Sequence, residues 1–336
     1  MQKNISLRQF NTFGLESRAQ FFEEVKSTEE LINIINNPIW KETPKFILGG
    51  GSNILFTRDI DALVIKIAIK GIDLIREDED FVWLHAGAGE KWHDFVLYCV
   101  ANDYAGVENL SLIPGTIGAA PMQNIGAYGV EIKDVVETVE AISIETAEMR
   151  TFSKEECLFG YRESIFKHAL KGKLIITGVV FRLNKKPVYH VEYGDIQKTL
   201  AEMNVETPTI KAISEAVIRI RESKLPDPAK IGNAGSFFKN PIIDRHEFAD
   251  VVAKHPDVVH YPTVDDKIKL AAGWLIEQCG WKGKIAGNTG TWKNQALVLV
   301  NHGGATGTEV FNFSEQIIDS VKSTFGVTLE REVNIL

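Results

Sequence analysis

A lone hydroxyl, Ser236, stands in the segment Gly232 to Pro241, GNAGSFFKNP, between small, turn-forming residues and an apolar, amide-bearing run. Gly232, Ala234 and Gly235 let a backbone pass close to a ligand. Phe237 and Phe238 can anchor the segment in a core, while Lys239 and Asn240 supply a cation and an amide. The arrangement suits a serine presented to a pocket from a supported loop. Taken alone, a Gly-Ser pair is more often a plain turn.

A second chemical feature follows the apolar run Lys45 to Leu48. Gly49-Gly50-Gly51-Ser52-Asn53 fits neither a dinucleotide fingerprint nor a P-loop, because the Gly-Lys-Ser/Thr ending is missing. Successive glycine N–H groups can still cradle a pyrophosphate, with Ser52 and Asn53 as side-chain partners. Ser111 to Gly129, SLIPGTIGAAPMQNIGAYG, is too rich in Gly, Ala and Pro for one regular element and too apolar for a disordered linker. It reads as ordered backbone wrapped around something flat or narrow. Together the two stretches point to a bound nucleotide cofactor. Gly87-Ala88-Gly89 begins a GxGxxG pattern, but Trp92 stands where its third glycine belongs.

Arg162, in Tyr161-Arg162-Glu163-Ser164, can grip a carboxylate bidentately. Its plainer explanation is a surface pair with Glu163 or Glu156. Glu332, in Leu329-Glu330-Arg331-Glu332-Val333, reads from its neighbours as a solvated strand residue. Neither GxSxG nor HExxH occurs, so an enzyme built on this chain needs an organic cofactor for its chemistry.

The elements that must position these residues are partly legible. Ser27 and Glu30 form a capping-box pair opening a short helix with Leu31, Ile34 and Ile35 inside. Strands are expected at Lys45 to Leu48, Leu63 to Ile69, Phe81 to His85, Val135 to Glu145 and Leu174 to Leu183. Helical spacing runs through Trp92, Phe95, Val96 and Cys99, then Ile210, Ile213, Val217 and Ile220. A later stripe, Val310, Phe313, Ile317, Val321 and Phe325, closes at Gly326. A composition shift near Lys185-Lys186-Pro187 suggests a domain boundary between residues 185 and 205. Strands and helices mix without strict alternation, so the fold class is α+β.

Across 336 residues, 44% are hydrophobic and 24% charged, the profile of a soluble chain with room for two or three domains. The net charge of -8 argues against wholesale nucleic-acid binding. Cys99, Cys157 and Cys279 form no CxxC or Cys/His cluster, so no metal site is expected and a reducing compartment is the natural home. The N-terminal residues lack a secretory h-region and no apolar run spans a bilayer. A cytoplasmic protein with no membrane partner is expected.

The segments above, taken in order, resemble the UDP-N-acetylenolpyruvoylglucosamine reductase family. The resemblance runs along nearly the whole chain. It rests on Asn11-Thr12-Phe13, Gly49 to Asn53, Ile113 to Ala119, Asn124 to Gly129, Tyr161 to Ser164, Lys224-Leu225-Pro226-Asp227-Pro228, Gly232 to Pro241, Gln295 to Leu299 and Leu329 to Val333. It implies a vanillyl-alcohol-oxidase-type FAD-binding domain followed by a smaller α/β substrate-binding domain. The implied divisions are two FAD-binding subdomains (1–70 and 71–195), a substrate domain (196–328) and a C-terminal strand (329–336) returning to the active site.

Reduction by NADPH of a noncovalent FAD, then of UDP-N-acetylglucosamine enolpyruvate to UDP-N-acetylmuramate, is the implied activity, with a monomer expected. The resemblance places Arg162, Ser236 and Glu332 in catalysis. It assigns FAD to Gly49, Gly50, Gly51, Ser52, Asn53, Pro114, Gly115, Thr116, Gly118, Ala119, Asn124, Gly126, Ala127 and Tyr128. Tyr193, Lys224, Asn240 and Gln295 fall to the substrate, Tyr193 marking the subgroup with a tyrosine-bearing substrate loop. Two alternatives stay open: another FAD oxidoreductase acting on a different sugar or alcohol, and a catalytically silent nucleotide-sugar-binding module. A colourless purified protein would favour the second.

Overall fold

The computed structural model describes residues 1–263 and 265–336. The chain divides into two compact units. The first comprises Met1–Ile5, Ala19–Gly50 and Asp61–Arg221; the second comprises Ser6–Arg18, Gly51–Ile60 and Glu222–Leu336. The expected α+β class holds, since both units mix sheets with helices. No helix among the described residues is long and apolar enough to cross a membrane.

In the first unit a four-stranded sheet runs in the order Gln2–Ser6, Arg18–Val25, Ile60–Ile67, Lys45–Leu48. Lys45–Leu48 lies parallel to Ile60–Ile67, with Leu48 opposite Lys66. Helix α1 (Thr28–Asn36) starts where its sequence says it should: the Ser27 hydroxyl accepts from the Glu30 N–H. The Glu30 carboxylate reaches the Lys26 N–H, one residue before the cap, at 2.7 Å.

A five-stranded antiparallel sheet follows, ordered Met149–Ser153, Val136–Ser143, Leu174–Asn184, Phe81–Gly87, Ile72–Glu77. Its middle strand, Leu174–Asn184, is buried almost throughout, which its near-continuous apolar run LIITGVVF anticipates. Helix α2 (Trp92–Ala101) packs Trp92 and Phe95 on Phe181 of that strand, ring centres 5.9 and 4.6 Å away.

Helices α3 (Ile196–Glu202) and α4 (Ile210–Lys224) form a smaller cluster through Ile196, Leu200, Ile213, Val217 and Ile220, with Tyr128 and Tyr189 packed against it. The Ser214 hydroxyl of α4 meets that of Ser111 at 2.8 Å. Residues 196–221 therefore pack with the first unit, beyond the composition shift near residue 185.

The same sheet holds a polar pair over a missing side chain. His85 Nε2 and Glu140 Oε2 meet at 3.2 Å across Gly178, where a Cβ would lie 2.5 Å from the imidazole nitrogen. The hydrogen bond to Glu140 raises the His85 pKa above the usual imidazole value, and Asp73 adds to it. The same bond lowers the Glu140 pKa. The raised imidazole contributes stability that is complete below its unfolded pKa and fades as pH rises through the folded one. The lowered carboxylate contributes stability that fades as pH falls through its own folded value. The pair should therefore stabilise most between the ordinary carboxylate and imidazole values. Denaturant titrations of His85→Gln against the unsubstituted protein should show a gap that is widest in mildly acidic buffer and narrows toward alkaline pH. A gap independent of pH would contradict this.

The second unit has a four-stranded sheet ordered Gly232–Ser236, Gln295–Asn301, Thr289–Trp292, Ile285–Ala286, and a three-stranded one ordered Ile242–Ile243, Ile268–Leu270, His260–Pro262. Helices α5 (Arg245–Lys254), α6 (Ala272–Gln278) and α7 (Gly307–Phe325) complete it. The α7 stripe Val310, Phe313, Ile317, Val321 and Phe325 is buried, and Gly326 caps the helix at φ 75°.

Two short N-terminal pieces belong here. The Asn11 amide is buried and satisfied, donating to the Leu7 and Leu15 carbonyls and accepting from the Leu15 N–H. That loop sets Phe13 edge-on to Phe237, and the Thr12 carbonyl accepts from the Asn233 N–H at 3.0 Å. A Cβ on Gly232 would lie 2.1 Å from the Phe13 carbonyl oxygen, so only glycine fits. Ile54–Leu55 pairs in parallel with Asn334–Ile335 at the end of the chain.

Candidate active site

Ser236 is presented by a strand, not by the loop its composition suggests. Gly232–Ser236 pairs with Gln295–Asn301 with Asn233 opposite Val300, but Ser236 then stands opposite Val298. One extra residue has entered the strand, a β-bulge. Gly235 supplies it at φ 69°, and a Cβ there would touch nothing within 4 Å, so the backbone angle rather than space calls for glycine. The Asn233 side chain fixes the bulge by accepting from the Gly235 N–H at 3.0 Å and donating to the Pro226 and Ile231 carbonyls. Ala234, Phe237 and Phe238 are buried while Ser236 is exposed.

The C-terminal segment runs beside this strand. Phe237 donates its N–H to Leu297 on one side and accepts from the Glu332 N–H at 2.8 Å on the other. Phe238 bridges Arg331, and the Lys239 N–H donates to the Glu330 carbonyl. Asn53 Nδ2 donates to the Glu332 carbonyl at 3.2 Å, and the Asn53 carbonyl accepts from the Asn334 backbone and amide. Three candidates far apart in sequence, Asn53, Ser236 and Glu332, thus lie on adjoining backbone in this unit, Glu332 half-buried.

Asn240 and Gln295 each approach the start of α6. The Asn240 oxygen caps the Ala272 N–H at 3.0 Å, leaving its NH2 group to offer a ligand. Gln295 Oε1 accepts from Leu297 and lies 3.0 Å from where a Cβ on Gly273 would stand. Lys224 is exposed at the end of α4.

Within the first unit, Gly160 and Glu163 exchange backbone hydrogen bonds around Tyr161-Arg162. Arg162 sits at φ 57°, a left-handed backbone state that usually takes glycine or asparagine. An arginine in that backbone state carries strain of about 1 kcal/mol. Its Nη2 donates to the Gly126 carbonyl at 2.9 Å and its own carbonyl accepts from Lys167 Nζ at 3.0 Å. Of the two carboxylates expected beside it, Glu156 pairs with Arg150, and Glu163 also meets His168 and Lys167.

Gly126–Ala127 forms a tight hairpin with Val130–Glu131 through Tyr128 and Gly129, both at positive φ. Tyr193 packs over Gly129, and the Tyr128 ring lies over Gly194. Arg221 was not anticipated from the sequence. It hydrogen-bonds Tyr128, donates from Nε to the Leu112 carbonyl at 3.3 Å and feels the charge of Arg162. Burial, with Arg162 adding to it, lowers the Arg221 pKa from its ordinary value, while Tyr128 opposes the shift. The available signal was its place one residue past Ile220 on the buried stripe.

The glycine-rich stretches pack backbone to backbone. A Cβ on Gly50 would lie 2.8 Å from Gly115 Cα, and one on Gly118 would lie 2.7 Å from the Ala88 methyl. Residues 115–118 run beside Ala88 to Trp92 through bonds from Trp92 to Gly115, Ile117 to Glu90 and Gly118 to Ala88. Gly87-Ala88-Gly89 therefore supports this layer. Lys66, another residue not anticipated, donates to the Gly49 carbonyl at 2.7 Å, and burial lowers its pKa. Thr116 Oγ1 faces Gly49, Ala119 is nearby, and Pro114 is exposed. The Asn124 side chain is consumed internally by Glu131, Gly160 and Lys133, and its N–H donates to the Pro121 carbonyl. Gly51 and Ser52 lie at the start of the segment that belongs to the second unit. At Gly50 and Gly118 the close approach is to protein backbone and the Ala88 methyl, so glycine there lets two stretches of chain pack without side chains between them.

A model described as FAD binding domain matches residues 19–153. Residues 227–336 match the model described as UDP-N-acetylenolpyruvoylglucosamine reductase, C-terminal domain. Proteins named UDP-N-acetylenolpyruvoylglucosamine reductase from Flavobacterium johnsoniae and Amoebophilus asiaticus are each 52% identical, over 100% of this chain and 99% of theirs. The chain belongs to the UDP-N-acetylenolpyruvoylglucosamine reductase family, whose role is in peptidoglycan precursor synthesis, with FAD as cofactor and NADPH as reductant. A crystal structure of the reductase from Thermus caldophilus shares the fold at a TM-score of 0.68 and 24% identity, over 99% of this chain and 98% of that one.

Proposed function

We propose that the chain reduces the enolpyruvyl ether of UDP-N-acetylglucosamine enolpyruvate to the lactyl ether of UDP-N-acetylmuramate, with Arg162, Ser236 and Glu332 at the reacting carbons. The observation that carries this reading is the bulge that turns the Ser236 hydroxyl outward beside the backbone of Glu332. Gly49 to Asn53, Pro114 to Ala119 and Asn124 to Tyr128 would hold FAD. When bound, FAD would supply the hydride chemistry that links NADPH to the enolpyruvyl methylene carbon.

The chain's own residues then manage charge and the remaining proton. Adding hydride to the methylene drives negative charge onto the adjacent carbon and its carboxylate. Arg162 offers that carboxylate a fixed guanidinium whose hydrogen bond to Gly126 aims it, and Arg221 adds a second cation in the same unit. Ser236 gives its proton to the adjacent carbon and recovers one from solvent. A serine hydroxyl is a weak acid, so the transfer runs only toward a strongly basic carbon of this kind. Glu332 keeps the carboxylate and its partners in register. Tyr193, Lys224, Asn240 and Gln295 bind the sugar nucleotide.

We read FAD as noncovalent. His85 is engaged with Glu140, and His93 Nδ1 accepts from the Leu112 N–H at 2.9 Å. As functional divisions, residues 1–70 and 71–195 bind FAD, 196–328 bind substrate, and 329–336 return Glu332 to the chemistry. A cytoplasmic monomer completes the reading. The test is NADPH consumption by the purified yellow protein. It should require UDP-N-acetylglucosamine enolpyruvate and yield UDP-N-acetylmuramate mole for mole. Anaerobic NADPH turnover beyond the one equivalent that reduces the flavin, in the absence of that substrate, or reduction of the flavin by simple alcohols, would overturn the assignment.

A further inference from the structure

Helix α7 offers a receptor face to the C-terminal segment. Phe311, Ser314 and Glu315 stand at i, i+3 and i+4, one side of the helix. Arg331 engages all three: Nε donates to Ser314 Oγ at 2.8 Å, Nη2 to Glu315 Oε1 at 2.6 Å, and its guanidinium lies 4.5 Å from the Phe311 ring centre. The Ser314 hydroxyl is fully buried and gives its proton to the Phe311 carbonyl, so its oxygen is committed as the acceptor for Arg331. One guanidinium is thereby fixed by two hydrogen bonds and a ring.

We infer that Arg331 is a positioning residue that sets where Glu332 stands. The inference rests on the catalytic reading of Glu332 proposed above. On one side the segment is held to Phe237 and Phe238, and the Glu332 carbonyl is held by Asn53. Arg331 adds a side-chain tie from the residue next to Glu332 to a nineteen-residue helix. A partly exposed ion pair adds little to stability. Its effect on geometry is larger, because small misplacements of a reacting-site group can cost on the order of 10²-fold in rate.

The test compares full-length flavoenzymes: Arg331→Met, Glu332→Gln, the two combined, and the helix-side pair Ser314→Ala/Glu315→Gln. Each is assayed for kcat and KM with UDP-N-acetylglucosamine enolpyruvate, and for flavin reduction by NADPH. Arg331→Met should lower kcat about tenfold with little change in KM or in flavin reduction. The helix-side pair should reproduce that loss, and it decides the matter if Arg331→Met fails to fold. In the Glu332→Gln background, Arg331→Met should add less than about twofold, because residues acting as one unit are not additive. Additive losses, or full kcat in both tether variants, would overturn the inference. Full activity in Glu332→Gln alone would instead remove the reading beneath it.

Discussion

Ser236→Ala should lower kcat on the order of 10²-fold or more, with KM nearly unchanged and flavin reduction by NADPH intact. The substitution deletes one exposed oxygen from a strand whose shape depends on other atoms. The bulge is fixed by Gly235 and the Asn233 amide, and Phe237 and Phe238 anchor the next two residues in the core. Stability should therefore change little, and the loss can be assigned to the missing proton donor. Steady-state kinetics with the enolpyruvyl substrate, beside thermal unfolding of both proteins, separates the two. An alanine variant with full turnover would assign the proton to another group or to water.

Arg162→Lys should lower kcat/KM by roughly 10²- to 10³-fold, the range seen when one preorganised donor to developing charge is removed. Lysine keeps the charge and accepts the same strained turn, so the backbone from Gly160 to Glu163 should survive. What it lacks is a planar fork that can bond the Gly126 carbonyl and a carboxylate together. Flavin affinity, measured by reconstituting the apoprotein, serves as the control and should hold within about threefold if Arg162 faces substrate rather than cofactor. A flavin loss as large as the kinetic loss would contradict the assignment.

What could be read in advance follows from locality. Helix α2 was legible because Trp92, Phe95, Val96 and Cys99 repeat at helical spacing, and all four are buried. The α7 stripe and its glycine cap were legible for the same reason. Boundaries drifted where neighbours decide them: the strand expected from Leu63 runs Ile60–Ile67, because Ile60 begins pairing earlier.

The hidden parts depend on distant contacts. Nothing near Asn53 announces that its amide holds Glu332, 279 positions away. Nothing in GNAGSFF distinguishes a glycine turn from a bulged strand, since both ask for glycine at positive φ. Asn11 and Thr12 look like ordinary loop residues until they are seen holding Phe13 and Asn233. Arg221 lay among several charged residues at the end of α4, and only the fold brings it to Tyr128.

Electrons held by the reduced protein should pass to an enol ether. The most direct measurement is anaerobic stopped-flow: reduce the bound flavin with NADPH, mix with UDP-N-acetylglucosamine enolpyruvate, and follow flavin absorbance. Rapid return of the oxidised spectrum, with one UDP-N-acetylmuramate formed per flavin, is the expected result. A flavin that stays reduced in the presence of that substrate would contradict it.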